Sequence, residues 1–282
     1  METRINSVDG AEMCRVPAGV FKMGLSEPEI REYVSTRRTD PSSLKMMRPQ
    51  RMVHLDEFWI YVRPITRAQF RRFVEANRKY EMPPDYHFLG PSEKLIMDDE
   101  YPVDSVNWFT AGAYCKWAKV ELPTEAQWEK AARGVEGAFY PWGNEWDDSR
   151  ANFDNRIGEK KAQPCRVDEY ANGASPYGAL QMAGNVKEWC QDRFAPYGYD
   201  EPPFKGVIGR LKFDHKPDLQ DDPEVIRNPK GPSMGSSRVV RGGGWRNGNP
   251  DWAGLCTYRG AENPRNGYSD LGFRPVLVAS DG

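Results

Sequence analysis

The chain has 282 residues, with 39 Lys and Arg against 41 Asp and Glu, giving a net charge of −2. That balance leaves no basic footprint for a nucleic-acid partner, and no stretch approaches the roughly eighteen apolar residues that a membrane-crossing helix needs. Gly 26 and Pro 23, beside Trp 9, Tyr 13 and Phe 12, point to an irregular, loop-rich fold held by aromatic clusters, not a helical bundle or a doubly wound sheet.

The opening METRINSVDGAEMC has no apolar stretch of the kind a secretory leader carries. The cysteines Cys14, Cys115, Cys165, Cys190 and Cys256 stand singly, without a CxxC pair. Reduced thiols and a cytoplasmic location are therefore expected.

In chain order, RVPAGVFKMG reads as a strand pair about a Gly turn. Residues 24–50 are polar and read as loop, with EIREYVSTRR as a solvated helix face. RMVHLDEFWIYVRPI reads as one strand with Val53, Leu55, Phe58 and Ile60 inside. Thr66 then caps a helix over 66–79 whose Phe70, Phe73 and Val74 share a face. After a Pro-rich loop over 81–102, a helix over 109–119 buries a stripe of Trp108, Ala111, Tyr114, Cys115 and Ala118. Thr124 and Gln127 form a capping box for a helix over 124–133, which Gly134 stops. No long helix is expected beyond it. Residues 195–237, with seven prolines, read as a surface excursion. No internal repeat divides the chain, so residues 1–282 read as one domain.

Four segments in order carry a resemblance: PVDSVNWFTAGAYCKWAKVELPTEAQWEKAARG, YPWGNEWDDSRANF, YGALQMAGNVKEW and RVVRGGGW followed by GFRPV. Over about Val16 to Val276 the chain resembles the formylglycine-generating-enzyme-like (sulfatase-modifying factor) family of the C-type-lectin fold. The resemblance implies an α+β fold: a single irregular C-type-lectin-type domain with few helices, twisted antiparallel strands and many loops.

It also implies calcium at GNVKEW, with the side-chain oxygen of Gln181, the carbonyls of Gly184 and Val186, and the carboxylate of Glu188 as ligands. All-oxygen donors suit a hard cation. Relatives usually place Asp or Asn where Gln181 stands, which weakens the set. A second site would use Asn152 and the carbonyl of Phe153. The alternative is that Glu188 and Asn185 only satisfy loop amides.

Active members of the family bind copper through two cysteines after RGGSW, because copper(I) selects soft thiolates. Arg246 to Trp252 contains no cysteine, so formylglycine formation and copper are not expected. Where relatives pair cysteines, Cys256 would meet Ala132 and Cys115 would meet Pro275, so no bond forms. A metal-dependent oxidoreductase of the sulfoxide-synthase type would need an iron-binding histidine triad, and the chain offers only His54, His87 and His215. The siderophore-maturation type is exported.

What remains is a C-terminal display segment, 238–277. Arg241 to Trp245, Cys256, Tyr258, Arg259, Pro264 and Gly272 to Arg274 would be its frame. Arg246, Asn247, Asn249, Asp251, Trp252, Leu255, Thr257, Glu262, Asn263, Arg265, Asn266, Tyr268 and Asp270 would be its face, rich in residue types that make binding surfaces. The segment resembles the variable proteins of diversity-generating retroelements, where template adenines are mutated. Asn247, Gly248, Asn249, Asp251, Gly254, Thr257, Gly260, Asn263, Arg265, Asn266, Tyr268 and Ser269 fit such codons; Trp252 and Glu262 do not. The expectation is a non-catalytic protein binding a protein, peptide or glycan, with the metal-dependent oxidoreductase as the alternative.

Overall fold

The structure is a computed structural model that describes residues 1–37, 39–90, 93–153, 163–195, 224–248 and 250–278. Strand β1 (Thr3–Ile5) pairs antiparallel with β2 (Glu12–Val16), and β3 (Gly19–Met23) follows. β2 and β3 do not pair with each other, contrary to the strand pair expected at RVPAGVFKMG. Gly19, at φ 136, lets the chain leave one sheet and enter another, a conformation L side chains rarely adopt.

The stretch read as one strand is likewise two: β4 (Arg51–Leu55) and β5 (Phe58–Tyr61). Val53, Leu55, Phe58 and Ile60 are all buried, but the break at Asp56 and Glu57 sends the two strands to different sheets. β3 and β4 form a sheet with β9 (Ile226–Arg227), while β5 joins β1, β2 and β13 (Val276–Val278). β4 pairs with β9 in parallel; β5 pairs antiparallel with both β2 and β13.

Between β3 and β4 the loop expected over 24–50 holds α1 (Glu27–Arg37) and a short 3-10 helix at Pro41–Met47. Ser26 and Glu29 close a capping box: Glu29 accepts from the Ser26 N–H at 2.7 Å, and the Ser26 hydroxyl accepts from the Glu29 N–H at 3.4 Å. The helix is not solvated on every face, because Ile30 and Tyr33 are buried. α2 (Arg67–Ala76) starts at a Thr66 cap with Gln69 completing the box. The loop expected next contains a hairpin, β6 (Tyr86–Gly90) with β7 (Glu93–Ile96).

α3 (Trp108–Ala118) takes Asn107 as its cap, and α4 (Glu125–Arg133) takes Thr124 with Gln127 as expected. Of α3's stripe Ala111, Tyr114, Cys115 and Ala118 are buried, and Trp108 is half-buried. α4 runs through the interior, with Glu125, Glu129, Lys130 and Arg133 buried alongside Trp128. Beyond Gly134 the one α-helix among the described residues is the short α5 (Pro250–Ala253). β8 (Lys187–Arg193) and β10 (Arg238–Arg241) centre a sheet flanked by β11 (Arg259–Glu262) and β12 (Leu271–Gly272). The excursion expected over 195–237 lies outside the described residues from 196 to 223.

One core cluster packs Phe21, Phe58 and Val239 around Trp128 of α4. A second joins Phe70, Phe73, Tyr114, Trp189 and Phe273, with Tyr114 and Phe273 edge-to-face at 5.2 Å. No helix among the described residues is long and apolar enough to cross a membrane.

Candidate ligand-display site

The C-terminal segment is tied to the interior by arginines. Glu125, on the first turn of α4, receives both Nε and NH2 of Arg259 at 2.7 Å, and NH1 of Arg241 at 2.9 Å. Glu129, one turn on, receives NH2 of Arg241 at 2.6 Å and NH1 of Arg133 at 3.1 Å. Burial works against the charged form of Glu125, but Arg259 and Arg241 outweigh it and hold the carboxyl below its ordinary range. Further along, Arg274 grips Glu188, with NH2 at 2.8 Å, and donates to the carbonyls of Tyr61, Val62 and Leu180. These frame arginines are structural ion pairs of α4, β8, β10 and β11.

Gly242 and Gly243 follow Arg241 with φ of 86 and 64, and a Cβ on Gly243 would sit 2.7 Å from the Ala253 carbonyl. The turn thereby places Trp245 inside, where its indole donates to the Ser269 carbonyl at 3.0 Å. The chain then dips into an aromatic cluster. The Asp251 carbonyl accepts from the hydroxyls of Tyr33 and Tyr140, and Trp252 packs on Tyr258 at 5.2 Å.

The expected face divides here. Leu255 and Thr257 are buried, Leu255 in the cluster of Tyr33 and Tyr140, and Thr257 with its hydroxyl on the Met47 sulfur. Neither is displayed, because the segment between Trp252 and Arg259 lies under α1, read from the sequence as a solvated helix face, and the 3-10 helix, read as loop. The same holds for two positions in the adenine-codon set. A Cβ on Gly254 would meet Trp146 at 2.7 Å, and one on Gly260 would meet Val240 at 2.9 Å.

Glu262 is half-buried and held by Lys187 at 3.1 Å, which also contacts Asp270 at 3.5 Å. Asp270 is itself buried. Asn247 turns inward to accept from the Gly244 N–H at 2.7 Å. Asn249 lies outside the described residues. Arg246, Asn263, Arg265, Asn266 and Tyr268 are exposed. They form one patch, since Arg246 donates to the Ser269 hydroxyl at 2.9 Å and Asn266 to the Tyr268 hydroxyl at 3.1 Å. Trp252, Asp251, Glu262 and Asn247 are half-buried.

Sequence reasoning missed the floor of this patch. The Ser105 N–H donates to the Tyr268 carbonyl at 2.9 Å, and the Trp108 N–H donates to the Pro264 carbonyl at 3.1 Å. A Cβ on Gly267 would sit 2.2 Å from the Ser105 carbonyl, so the segment lies directly on the start of α3. That contact brings Phe109, 55% exposed, to the rim.

The metal readings fare differently from the face. Glu188 carries an ion pair with Arg274 and accepts from the Trp128 indole at 2.7 Å, so a cation there would confront a guanidinium at hydrogen-bond distance. The Gln181 side-chain oxygen is taken by the Asn185 amide at 2.8 Å, and its nitrogen by the carbonyls of Arg166 and Glu169. Gln181, Gly184, Val186 and Glu188 therefore do not fit a calcium ion as a set, and an amide network stands in their place. At the second position the Asn152 side chain donates to the Gln163 carbonyl at 2.9 Å, and Phe153 is buried against Ala183 and Ala253. No later ligand is assigned to this second site in DNRIGEKKAQPCRVDEY, which the structure describes from residue 163 onward. Among the described residues no group of three or more His, Cys, Asp or Glu side chains is placed to hold a metal.

His54 is buried in β4, while His87 in β6 contacts Asp104 at 2.7 Å. They occupy separate sheets, and His215 lies outside the described residues. All five cysteines are free and buried. Burial pushes the Cys256 thiol above its ordinary range.

A family model described as the sulfatase-modifying factor enzyme 1-like domain matches residues 2–279. The chain is similar to the serine/threonine-protein kinase pkn1 of Chlamydia pneumoniae, at 33% identity over 97% of this chain and 45% of that protein. It thus spans under half the length of that relative. Among solved structures, PvdO from Pseudomonas aeruginosa matches with a TM-score of 0.69 and 18% identity, over 98% of this chain and 97% of that one. Treponema denticola variable protein 1 matches with a TM-score of 0.63 and 19% identity, over 98% of both chains. At those identities the likeness establishes the fold: an α+β, C-type-lectin-like domain.

Proposed function

The chain belongs to the sulfatase-modifying factor enzyme 1-like family, and we propose that it uses the fold as a non-catalytic scaffold that presents the exposed part of its C-terminal segment to a ligand. The observation that carries this reading is the division of the segment. Arg241, Arg259 and Arg274 are buried in ion pairs, while Arg246, Asn263, Arg265, Asn266 and Tyr268 project from them into solvent. Aromatic, arginine and asparagine side chains on a rigid support are what recognition surfaces use. The family's copper chemistry has no thiolates to run on: Arg246 to Trp252 lacks cysteine and Cys256 is buried.

Treponema denticola variable protein 1 has the same fold, and in a variable protein diversity would have to avoid the buried positions. Diversified residues in this chain would then be confined to 246–248 and 263–269, without Gly267, Gly254, Thr257 or Gly260. Two displayed libraries test the reading. Randomising 263, 265, 266 and 268 should leave protease resistance at the parental level and yield binders to unrelated protein targets. Randomising 254, 255 and 257 should abolish resistance. Collapse of the first library, or formylglycine appearing in a cysteine-bearing peptide incubated with the purified protein, would overturn it.

A further inference from the structure

We propose that the exposed patch takes an acidic peptide segment that also carries an apolar side chain, an inference that rests on the display reading and gives its ligand a chemistry. Two observations point to it. The first is the distribution of charge. Of the acids of the segment, Asp251 is half-buried, and Glu262 and Asp270 are only 22% and 10% exposed and share Lys187. Arg246 and Arg265 are exposed and have no carboxylate partner among the described residues; Arg246 leans on the Trp245 ring at 5.3 Å and on the Ser269 hydroxyl. The outward charge of the patch is therefore positive on a protein whose net charge is −2.

The second is the placement of exposed rings. Phe109 and Tyr268 are exposed aromatic side chains, at 55% and 37%. Tyr268 lies in this patch, and Phe109 packs edge-on at 5.4 Å against Trp108, whose N–H donates to the Pro264 carbonyl. The Trp108 ring beneath is already capped by Arg238 at 3.9 Å. Two exposed rings and two guanidiniums without a carboxylate partner offer apolar area together with charge-assisted hydrogen bonds. A carboxylate meets the guanidiniums in a bidentate pair, and an aliphatic or aromatic side chain beside it covers the rings. Phe109 lies outside the C-terminal segment, so it supplies an anchor that does not change when the segment does.

The test is a selection from a random peptide library on the immobilised full chain, with Arg246→Glu/Arg265→Glu, Phe109→Ala and Tyr268→Ala as comparison proteins. All three should melt with the parent, since the replaced side chains are exposed. Expected are enriched peptides that pair Asp or Glu with Leu, Phe or Trp. They should weaken about tenfold or more on the charge-reversed protein and also lose affinity on raising salt. Neutral or basic peptides that still depend on Tyr268 would overturn the acidic assignment and leave the display reading standing. Peptides indifferent to all three variants, or no enrichment at all, would overturn both. A sulfated oligosaccharide that binds the patch more tightly than the best peptide would also overturn the assignment, in favour of a glycan.

Discussion

Replacing Glu188 by Gln separates the ion pair from the calcium reading. In the folded protein the carboxylate accepts from Arg274 Nε at 3.0 Å, from Arg274 NH2 at 2.8 Å and from the Trp128 indole at 2.7 Å, with both side chains of the pair about 1% exposed or less. The amide keeps the volume and can still accept from Trp128, but it leaves the guanidinium as a buried charge without a counter-ion. Breaking a buried pair from one side costs about 3–5 kcal/mol. At roughly 2–4 °C per kcal/mol for a domain approaching this size, the melting temperature should fall by roughly 6–20 °C. The assay is thermal unfolding of parent and variant, each with and without a chelator. An ion pair predicts the same fall in both conditions. A fall below about 2 °C, or one that vanishes once the parent is chelated, would refute the argument and return Glu188 to a cation.

Other outcomes follow from the same interior. The five thiols should be unreactive in the native protein and titrate in full under denaturant without reductant, since all are free and buried; fewer in the unfolded chain would reveal a disulfide. Leu255→Ala should cost about 2–5 kcal/mol by unfolding titration, as a core deletion. Asn263→Ala, an exposed position in the same segment, should stay within about 0.5 kcal/mol, and equal costs for the two would contradict the division of the face. Lys130 is buried, donates to the carbonyls of Pro17 and Gly19, and titrates at about 8, chiefly because burial disfavours the ammonium. Its folded value lies below the roughly 10.4 of an unfolded lysine. Between those values the unfolded chain holds more protons, so stability relative to Lys130→Met should rise with pH from about 8 to 10; a flat difference would refute it.

Much of the frame was legible in the sequence. Thr124 and Gln127 marked α4, the apolar spacing marked α2 and α3, and four ordered motifs marked the family. Two kinds of information were not local. SEPE at 26–29 is a capping box as plain as the one at Thr124, but the polarity of EIREYVSTRR made it read as a solvated face and hid that Ile30 and Tyr33 are buried. Without that burial nothing indicated a cover over Leu255 and Thr257, so both were assigned to the surface. The partners of a buried carboxylate were equally hidden. Glu188 and Arg274 lie far apart in sequence, and GNVKEW reads the same whether its glutamate meets a cation or a guanidinium. Phe109 was overlooked because it sits on α3, outside the stretch where a face was sought; its neighbour Trp108 joins the two by donating to the Pro264 carbonyl.

Arg241 and Arg259 both end on Glu125, one at 2.9 Å and the other at 2.7 Å, and that shared carboxylate makes the intervening chain a closed loop. Its two stems are fixed to one turn of one helix, so contour length between them is not what holds them together. Doubling the length of a flexible loop costs only about 0.6 kcal/mol in closure entropy. Moving either arginine out of register, by contrast, strands a buried charge. Where the loop rises clear of Trp146 and Tyr140, at Arg246 to Gly248, it should therefore accept grafted sequences of quite different length, provided that both arginines keep their seats on Glu125. The scaffold's tolerance to exchange thus depends on two contacts at the base of the loop, which a graft at 246–248 leaves in place.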